Sequence, residues 1–348
     1  MTSFTPSGAG RVLPTALRSR ILRAGDDAER ALALADDVRR AVGLQSPGNT
    51  RRMWRGLAEL GALNLTAARC LGPHLEALAI LQQAREFDLV VFAPAGSTWG
   101  VFTDDSAAQV HAERTPTGGW LLTGGVSGSA AVGSLSHALV SARTDGAAHS
   151  LFSVRLHDDG VTVDARDGGS VRFLRAHAHV VGAQDWYTSR PGHALAAAGE
   201  AAMWWGAACG LAQKLHLRLA RPTPDAMNAV NRTDLWDLGR CDTALFAGGA
   251  VLERLAGVVD REGATGAPEW AEALRVRGIV HDACETTLSC VLRSLDAAPG
   301  SGPDGDDDAR ARQVRNLRDA LRTHRPREDL VTVGASALQG LPTVWGGR

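Results

Sequence analysis

The periodicity of apolar residues changes twice along this 348-residue chain, and the double change limits the folds open to it. From about residue 16 to 87 the spacing is helical, with Leu71 and Leu75 four positions apart on one face. From about 89 to 181 short apolar runs alternate with Gly, Asp and Ser clusters, which predicts strands. After residue 191 the helical spacing returns. The sequence therefore predicts helices, then a sheet, then helices.

The candidate strands are short runs that have no helical segment between them, which favours an antiparallel sheet, sandwich or barrel. These runs are 89–92, 120–123, 137–141, 150–154 and 161–163. In the C-terminal part, helical stripes are formed by Leu245, Leu252, Leu255 and Val259 and by Val280, Cys284, Leu288 and Val291. We predict an α+β fold with an N-terminal helical domain (1–88), a middle antiparallel β domain (89–190) and a C-terminal helical bundle (191–348).

Three local features refine this division of the chain. The segment 46–50 reads as a turn between helices, with Asn49 or Thr50 able to cap the helix that follows. The Gly- and Asp-rich segment 299–308 reads as a solvated turn between two helices. The weakly charged run 194–212 contains Glu200 and is too short and interrupted to span a membrane, so we expect a buried helix that encloses this acid.

Charge and cysteine content exclude several classes of protein. Lys and Arg together number 37 against 38 Asp and Glu, so the chain lacks the positive excess that nucleic-acid and polybasic membrane binders need. Five cysteines without a C-x-x-C pair argue against a disulfide framework or a zinc site, and we predict no metal site. With no apolar leader at the N-terminus, these features predict a cytoplasmic protein.

Several stretches of sequence follow one another in a distinctive order. Gly119–Gly124, Ser136–Ala142 and Leu151–Val154 lie in the predicted sheet, and Gly199–Ala208 and Leu238–Ala256 lie in the helices beyond it. Together with the order of elements, this series resembles the acyl-CoA dehydrogenase superfamily. The resemblance implies the fold of that superfamily, in which a helical domain, a β domain and a four-helix bundle follow one another.

The resemblance also implies a flavin cofactor, FAD or alternatively FMN. By position, the segment in contact with the flavin ring would be Trp99, Gly100, Val101, Phe102 and Thr103. Nearby hydroxyl donors would be Thr123, Ser127 and Ser129. Arg240 stands where the superfamily often places an arginine that reaches the flavin phosphates of a neighbouring subunit, so a homodimer or homotetramer is implied.

The same residues also suit purely structural roles. Trp99 and Phe102 could be β-domain core, and a plain turn is the favoured interpretation of the Gly-rich segment that contains Ser127 and Ser129. For Arg240 we favour a surface arginine, because the chain uses Arg for all but one of its basic residues.

His324 is the most informative candidate for catalysis. It shares one predicted helix face with Val314, Leu317 and Leu321, which turns its side chain inward. Pro326 disfavours further helix, so His324 falls in the last turn, where the helix dipole favours a protonated imidazole.

The wider C-terminal pattern resembles a signature of flavin monooxygenases built on this same fold. Arg318, Asp319, Arg322 and Thr323 precede His324, and Asp329 follows it. In those enzymes the matching histidine acts beside the flavin as acid and base, a task that suits a side chain with a pKa near neutrality. The alternative is an amphipathic helix whose histidine is simply satisfied.

A dehydrogenase would instead use a carboxylate as its base, and Glu328 and Asp329 lie in the right region. Both also suit structural roles at the first turn of a helix. We predict a flavin-dependent oxidoreductase acting on a small or acylated, possibly CoA-linked, substrate, with dehydrogenation first and His324-dependent monooxygenation as the alternative. Because the superfamily's Thr-Glu-Pro flavin loop and Glu-Gly-Thr segment have no clean match, a flavin-free binding or assembly protein is a third hypothesis.

Overall fold

The structure of the protein is a computed structural model, and it describes residues 11–339 apart from 47, 87–93, 95, 104–109, 128–130, 145–148, 167, 191, 221–230, 264–266, 297–303 and 325. The helices are α1 (Thr15–Ala24), α2 (Ala28–Leu32), α3 (Ala35–Val42), α4 (Thr50–Leu63), α5 (Leu65–Glu86), α6 (Trp186–Ser189), α7 (Leu195–Leu219), α8 (Arg232–Glu262), α9 (Ala267–Asp296), α10 (Asp304–Thr323) and α11 (Pro326–Leu338). The strands are β1 (Trp99–Phe102), β2 (His111–Arg114), β3 (Trp120–Ser127), β4 (His137–Arg143), β5 (His149–Arg155), β6 (Val161–Asp164) and β7 (Ser170–Val181).

The chain forms two compact units. The first comprises Met1–Arg23, Pro47–Ala68 and Ala194–Arg348, and the second comprises Ala24–Ser46 and Arg69–His193. Helices, strands and helices thus follow one another as the sequence predicts, whereas the boundaries of the three predicted domains stay a prediction.

In the first unit, helix α7 packs against α4 and α9, and α9 also contacts α8 and α11. The two predicted C-terminal stripes are buried, which confirms them. Helices α4 and α7 approach so closely that a Cβ atom on Gly206 would overlap the carbonyl group of Ala58. Glycine at this crossing therefore allows backbone-to-backbone packing that a larger residue would prevent.

The N-terminus of α4 is capped from a distant helix. Asn49 occupies the cap position but its side chain makes no capping hydrogen bond, contrary to the expected local cap. Instead, the backbone N–H groups of Thr50 and Arg51 donate to the Asp260 carboxylate on α8, at 2.8 and 3.1 Å. A partner 210 residues away has no local sequence signature.

In the second unit, the strands form a seven-stranded sheet in the order β1-β4-β2-β3-β7-β5, with β6 on β7. Strand β5 also pairs with β4, so the sheet closes on itself. The α5 residues Ile80 and Leu81 pack with Trp99, Leu139 and other apolar side chains in a buried cluster, which covers part of one face.

The sheet differs from the antiparallel prediction in one respect. Strand β4 runs parallel to β1 and, through one residue pair, parallel to β2, while the remaining pairings are antiparallel. The β2–β3 hairpin lies between β1 and β4 in sequence, so the chain returns to β1 in the same direction. The sheet is therefore mixed.

Two predicted turns are partly regular structure. Strand β3 continues through Gly124 and Gly125 to Ser127, with a shift of register beside Gly124, whose φ of 133° suits only glycine. Helix α10 begins at Asp304, inside the segment expected to be a solvated turn. The predicted strand 89–92 lies outside the described residues.

The weakly charged run is a buried helix, as predicted, and forms the first part of α7. Glu200 departs from the prediction of burial, because its side chain is 44% exposed. All five cysteines are free. Among the described residues, no helix has the length and hydropathy needed to cross a membrane.

Candidate functional site

His324 is positioned by the end of one helix and the start of the next. Val314, Leu317 and Leu321 on α10 are buried, which confirms the predicted apolar face. The His324 backbone N–H donates to the carbonyl of Leu321 at 3.2 Å just beyond the last residue of α10. Pro326 then begins α11. The His324 side chain is 7% exposed, so it points inward as the spacing predicts.

Asp329 and Arg277 form a two-pronged ion pair close to this imidazole. Arg277 on α9 donates from Nε to Asp329 Oδ2 and from Nη2 to Oδ1, both at 2.7 Å. Its Nη1 also donates to Glu200 Oε2 at 3.4 Å. The Asp329 and Arg277 side chains are 8% and 16% exposed, so the pair is buried and strongly oriented.

The charges of this pair are fixed at neutral pH. Burial by itself raises the pKa of Asp329, but the contacts with His324 and Arg277 outweigh it and hold the pKa below its ordinary value. For Arg277, burial opposes the charge, whereas Asp329 and Glu200 raise the pKa above its ordinary value. Asp329 is therefore an ionised carboxylate already engaged by a guanidinium, which makes it a poor base for removing a substrate proton.

The imidazole of His324 lies within ion-pair range of that carboxylate. Its Nε2 is 3.2 Å from Asp329 Oδ2, although the ring is turned so that this buried nitrogen has no aligned hydrogen bond. The ring also lies beside Trp204 of α7 and His281 of α9, with ring centroids 5.2 and 5.6 Å away. We call His324, Asp329, Arg277, Trp204 and His281 the His324 cluster.

The His324 cluster has the parts that proton transfer needs. A fixed carboxylate can hold a histidine in one orientation and stabilise its imidazolium form. Because Nε2 faces Asp329, Nδ1 is the atom left to accept and return a proton. Glu328, the other predicted acid, is exposed on α11 and lies outside the cluster.

The predicted ring-contacting segment coincides with β1 and contributes mainly to the core of the second unit. Trp99 is 1% exposed, stacks on His137 with a centroid distance of 4.6 Å, and donates from its Nε1 to Ser97. Phe102 is 6% exposed. A Cβ on Gly100 would meet the side chains of Leu135 and Phe102, so protein atoms already fill that space. These contacts favour a core role for Trp99 and Phe102.

The end of β1 offers more polar chemistry. Val101 is half-buried, and the hydroxyl of Thr103 lies 3.0 Å from the phenol of Tyr187. Arg190 lies over the Tyr187 ring at 5.2 Å and donates to Gln83 Oε1 at 3.0 Å. The polar group that the sequence analysis missed at this strand end is therefore centred on the chain's single tyrosine.

The predicted phosphate donors lie at separate places. Thr123 is exposed on β3, where its hydroxyl accepts from the Arg175 N–H at 3.3 Å, and Ser127 is exposed at the end of that strand. Ser129 lies outside the described residues. Arg240 is exposed in the third turn of α8, as expected for a surface arginine.

The chemistry of these donors is compatible with a flavin. Exposed hydroxyls such as those of Thr123 and Ser127 are groups that bind phosphate oxygens, and Thr103 adds a third in the same unit. In the first unit, the buried Nε2 of His324 has no aligned hydrogen bond, so this polar atom is also compatible with a bound polar group.

Sequence reasoning missed Arg277 and His281. Arg277 is 52 residues from Asp329 in the sequence. Because nearly all basic residues of this chain are arginines, a single arginine carries little information about function. Trp204 stood out only as one of two adjacent tryptophans in an Ala-rich run.

Solved structures, but no protein-family model, match this chain. No protein-family model matches the sequence, and no curated protein is similar to it at a significant level. Solved structures are similar over nearly the whole chain. KijD3, in complex with FMN and a dTDP-linked amino-keto sugar, superposes with a TM-score of 0.72 at 19% identity, covering 99% of this chain and 98% of KijD3.

Two monooxygenases are also similar. Dibenzothiophene monooxygenase (TdsC) from Paenibacillus sp. A11-2 gives a TM-score of 0.69 at 17% identity, covering 95% of this chain and 98% of that one. Methanesulfinate monooxygenase (MsuC) from Pseudomonas fluorescens gives 0.69 at 16% identity, covering 94% and 96%. The chain has the acyl-CoA dehydrogenase-like fold. This confirms the fold class, and the residues of the His324 cluster lie in or directly beside helices that follow the strands in the chain.

Proposed function

We propose that the protein is a flavin-dependent monooxygenase in which His324 exchanges a proton with the reacting species. The observation that carries the proposal is the His324 cluster itself, a buried imidazole beside a carboxylate that is ionised and held by Arg277. The names of TdsC and MsuC, both monooxygenases, support the same reaction class.

The dehydrogenase alternative has less support. Removing a proton next to a thioester needs a carboxylate that is free to accept it. Asp329 is engaged by two hydrogen bonds from Arg277, and Glu328 is exposed on α11. The monooxygenase alternative therefore becomes the leading hypothesis, and the substrate is left as a small molecule.

Each residue of the His324 cluster has a role in this proposal. A reduced flavin, when bound, supplies the electrons that dioxygen chemistry requires. Arg277 holds the Asp329 carboxylate in place, 3.2 Å from His324 Nε2. His324 donates and recovers a proton at Nδ1, while Trp204 and His281 shield the ring from water.

Flavin retention is the first test of this proposal. We expect the protein to keep a visible flavin absorption band after incubation with FAD or FMN and desalting. Colourless protein would contradict the proposal and leave the binding or assembly hypothesis.

A matched pair of histidine variants then tests the role of His324. His324→Asn should bind flavin but consume oxygen at least about 100-fold more slowly with reduced flavin supplied, because general acid–base catalysis is worth that much. His216→Asn, at an exposed position on α7, should behave as the wild type. Equal oxygen uptake by the two variants would contradict a proton-transfer role.

Two further predictions belong to this proposal. We infer a homodimer or homotetramer, because Trp236 and Phe246 on α8 are 67% and 71% exposed and a second copy of the chain could cover them. Light scattering will measure the oligomeric state.

We also infer a cytoplasmic location, which the five free thiols favour.

A further inference from the structure

A cavity lies in the sheet-containing unit. Its volume is about 660 Å³, within the range of pockets that hold small organic ligands. It is lined by α2, α3 and α5 and by the segment that leads into β1, and Leu32, Leu78 and Leu81 form its apolar wall. None of the predicted flavin or catalytic residues lines it, so its role is separate from that of the His324 cluster.

The one buried titratable group on this wall is His74 of α5, which is 3% exposed. Its Nδ1 accepts a hydrogen bond from the Trp99 backbone N–H at 3.1 Å. A nitrogen that accepts carries no proton, so in the neutral ring the proton is on Nε2. Burial lowers the pKa of His74 to about 4, against a smaller opposite effect of Asp36, and this keeps the ring neutral at pH 7.

The Nε2–H group of His74 is therefore a fixed hydrogen-bond donor. Within the described ranges, no protein group accepts from it. Protein atoms do not enclose this nitrogen, so an acceptor can reach it from the cavity. An acceptor on a bound molecule would satisfy it.

Other polar groups on the same wall are already engaged by the protein. The hydroxyl of Ser97 donates to the carbonyl of Pro94 at 2.6 Å and accepts from Trp99 Nε1 at 2.7 Å. The hydroxyl of Thr98 donates to the carbonyl of Ser134 at 3.0 Å. Among the buried groups of this wall, His74 is thus the donor that is ready for a ligand.

The charged groups around the cavity balance one another. Glu29 and Asp36 face Arg39 and Arg85 among the lining residues, and Asp36 pairs with Arg39 at 3.4 Å. A balanced rim gives no net attraction for a cation or an anion. The chemistry therefore selects an uncharged ligand.

We propose that this cavity binds an uncharged, largely apolar small molecule whose carbonyl-type oxygen accepts a hydrogen bond from His74 Nε2. The apolar body lies against Leu32, Leu78 and Leu81. The site is independent of the flavin-dependent reaction, and either proposal can fail without the other.

Fluorescence titration with prodan, an uncharged naphthyl ketone, tests the proposal on the purified full-length protein. We expect saturable binding with a blue-shifted emission. Gln82 is exposed on α5 and lines the cavity, whereas Gln213 is exposed on α7 and does not. Gln82→Trp should weaken binding at least about 10-fold by filling the cavity, and Gln213→Trp should leave it unchanged.

The hydrogen bond is tested with His74→Phe, which keeps a ring but removes the donor. Prodan should bind about 2- to 10-fold more weakly, and dimethylaminonaphthalene, the same dye without its ketone, should bind unchanged. Because His74→Phe also leaves the Trp99 N–H without its acceptor, thermal unfolding will verify that the variant is folded, and the glutamine pair provides an independent test. The proposal is overturned if wild-type protein shows no saturable binding or if Gln82→Trp binds as tightly as Gln213→Trp.

Discussion

Two ion pairs of the same geometry but different burial allow the Arg277–Asp329 contact to be measured. Arg277 reaches Asp329 with two hydrogen bonds of 2.7 Å, and Arg166 reaches Asp164 with two of 3.0 Å. The first pair is 16% and 8% exposed, and the second is 85% and 44% exposed. Removing the arginine from a buried pair costs about 3–5 kcal/mol, since it leaves a carboxylate without its partner.

We expect Arg277→Leu to lower the free energy of unfolding by about 3 kcal/mol, at the low end of that range because His324 still faces Asp329. Arg166→Leu should change it little, since water screens an exposed pair. Urea unfolding followed by circular dichroism measures both variants. Equal effects of the two substitutions would refute the argument that burial makes the Arg277 contact important.

Acid should reduce the difference between Arg277→Leu and the wild type. The pKa of Asp329 is lowered in the folded protein, so its contribution is complete above the ordinary pKa of an aspartate. That contribution is lost as the pH falls through the lowered value. A difference that stays constant from neutral to strongly acidic pH would contradict this assignment.

Three further predictions concern packing, pH and thiols. Gly206→Ala should destabilise the protein strongly because its Cβ would overlap Ala58. Gly239→Ala, with open space around it, should stabilise α8 by about 0.5–1 kcal/mol. Thermal melts compare the unfolding temperatures of the two variants. Burial lowers the pKa of His74 from 6.5 to about 4, so its contribution to stability should decrease by on the order of 3 kcal/mol as the pH falls from 6.5 to 4. Burial lowers the pKa of His193 to a similar value, so His74→Phe should remove the His74 part of the dependence and keep the rest in urea titrations at each pH; an equal dependence in both proteins would contradict the His74 shift. Burial raises the pKa of Cys241 to about 12, so the four buried thiols should react with DTNB only slowly before the protein unfolds. Rapid reaction of more thiols than the half-buried Cys209 in the native protein would contradict that burial.

Local pattern predicted the helical parts of the fold well. The stripe of Val314, Leu317 and Leu321 is buried as its spacing indicates, and it turns His324 inward. Periodicity reports which face of a helix is apolar, and a residue on that face inherits its direction. The inward position of His324 could therefore be predicted without knowledge of any other helix.

Long-range partners were beyond the same reasoning. The carboxylate that holds His324 is fixed by Arg277 from another helix, and the N-terminus of α4 is capped by Asp260 instead of Asn49. Such pairs depend on how helices pack, and packing leaves no mark in a local window. The arginine-rich composition further hid Arg277 among many similar residues.

The sheet shows an intermediate case. Runs 120–123, 137–141, 150–154 and 161–163 lie in strands as predicted, because short apolar runs bounded by turn residues suit strands, and β4 and β5 are buried along nearly their whole length. The parallel pairing of β1 with β4 was not predicted, since strand direction depends on the whole path of the chain. Strand β7 has alternating burial but many polar residues, and it lies in the predicted β region (89–181) without forming one of the predicted apolar runs.

The most direct test of the central claim is the reaction of the bound, reduced flavin with two oxidants, followed by stopped-flow absorbance. If the protein is a monooxygenase that uses His324, dioxygen should reoxidise the flavin rapidly in the wild type and in His216→Asn, and much more slowly in His324→Asn. The one-electron oxidant ferrocenium should react at similar rates in all three proteins. A reduced flavin that is stable to dioxygen but readily oxidised by ferrocenium would contradict the account and indicate a dehydrogenase.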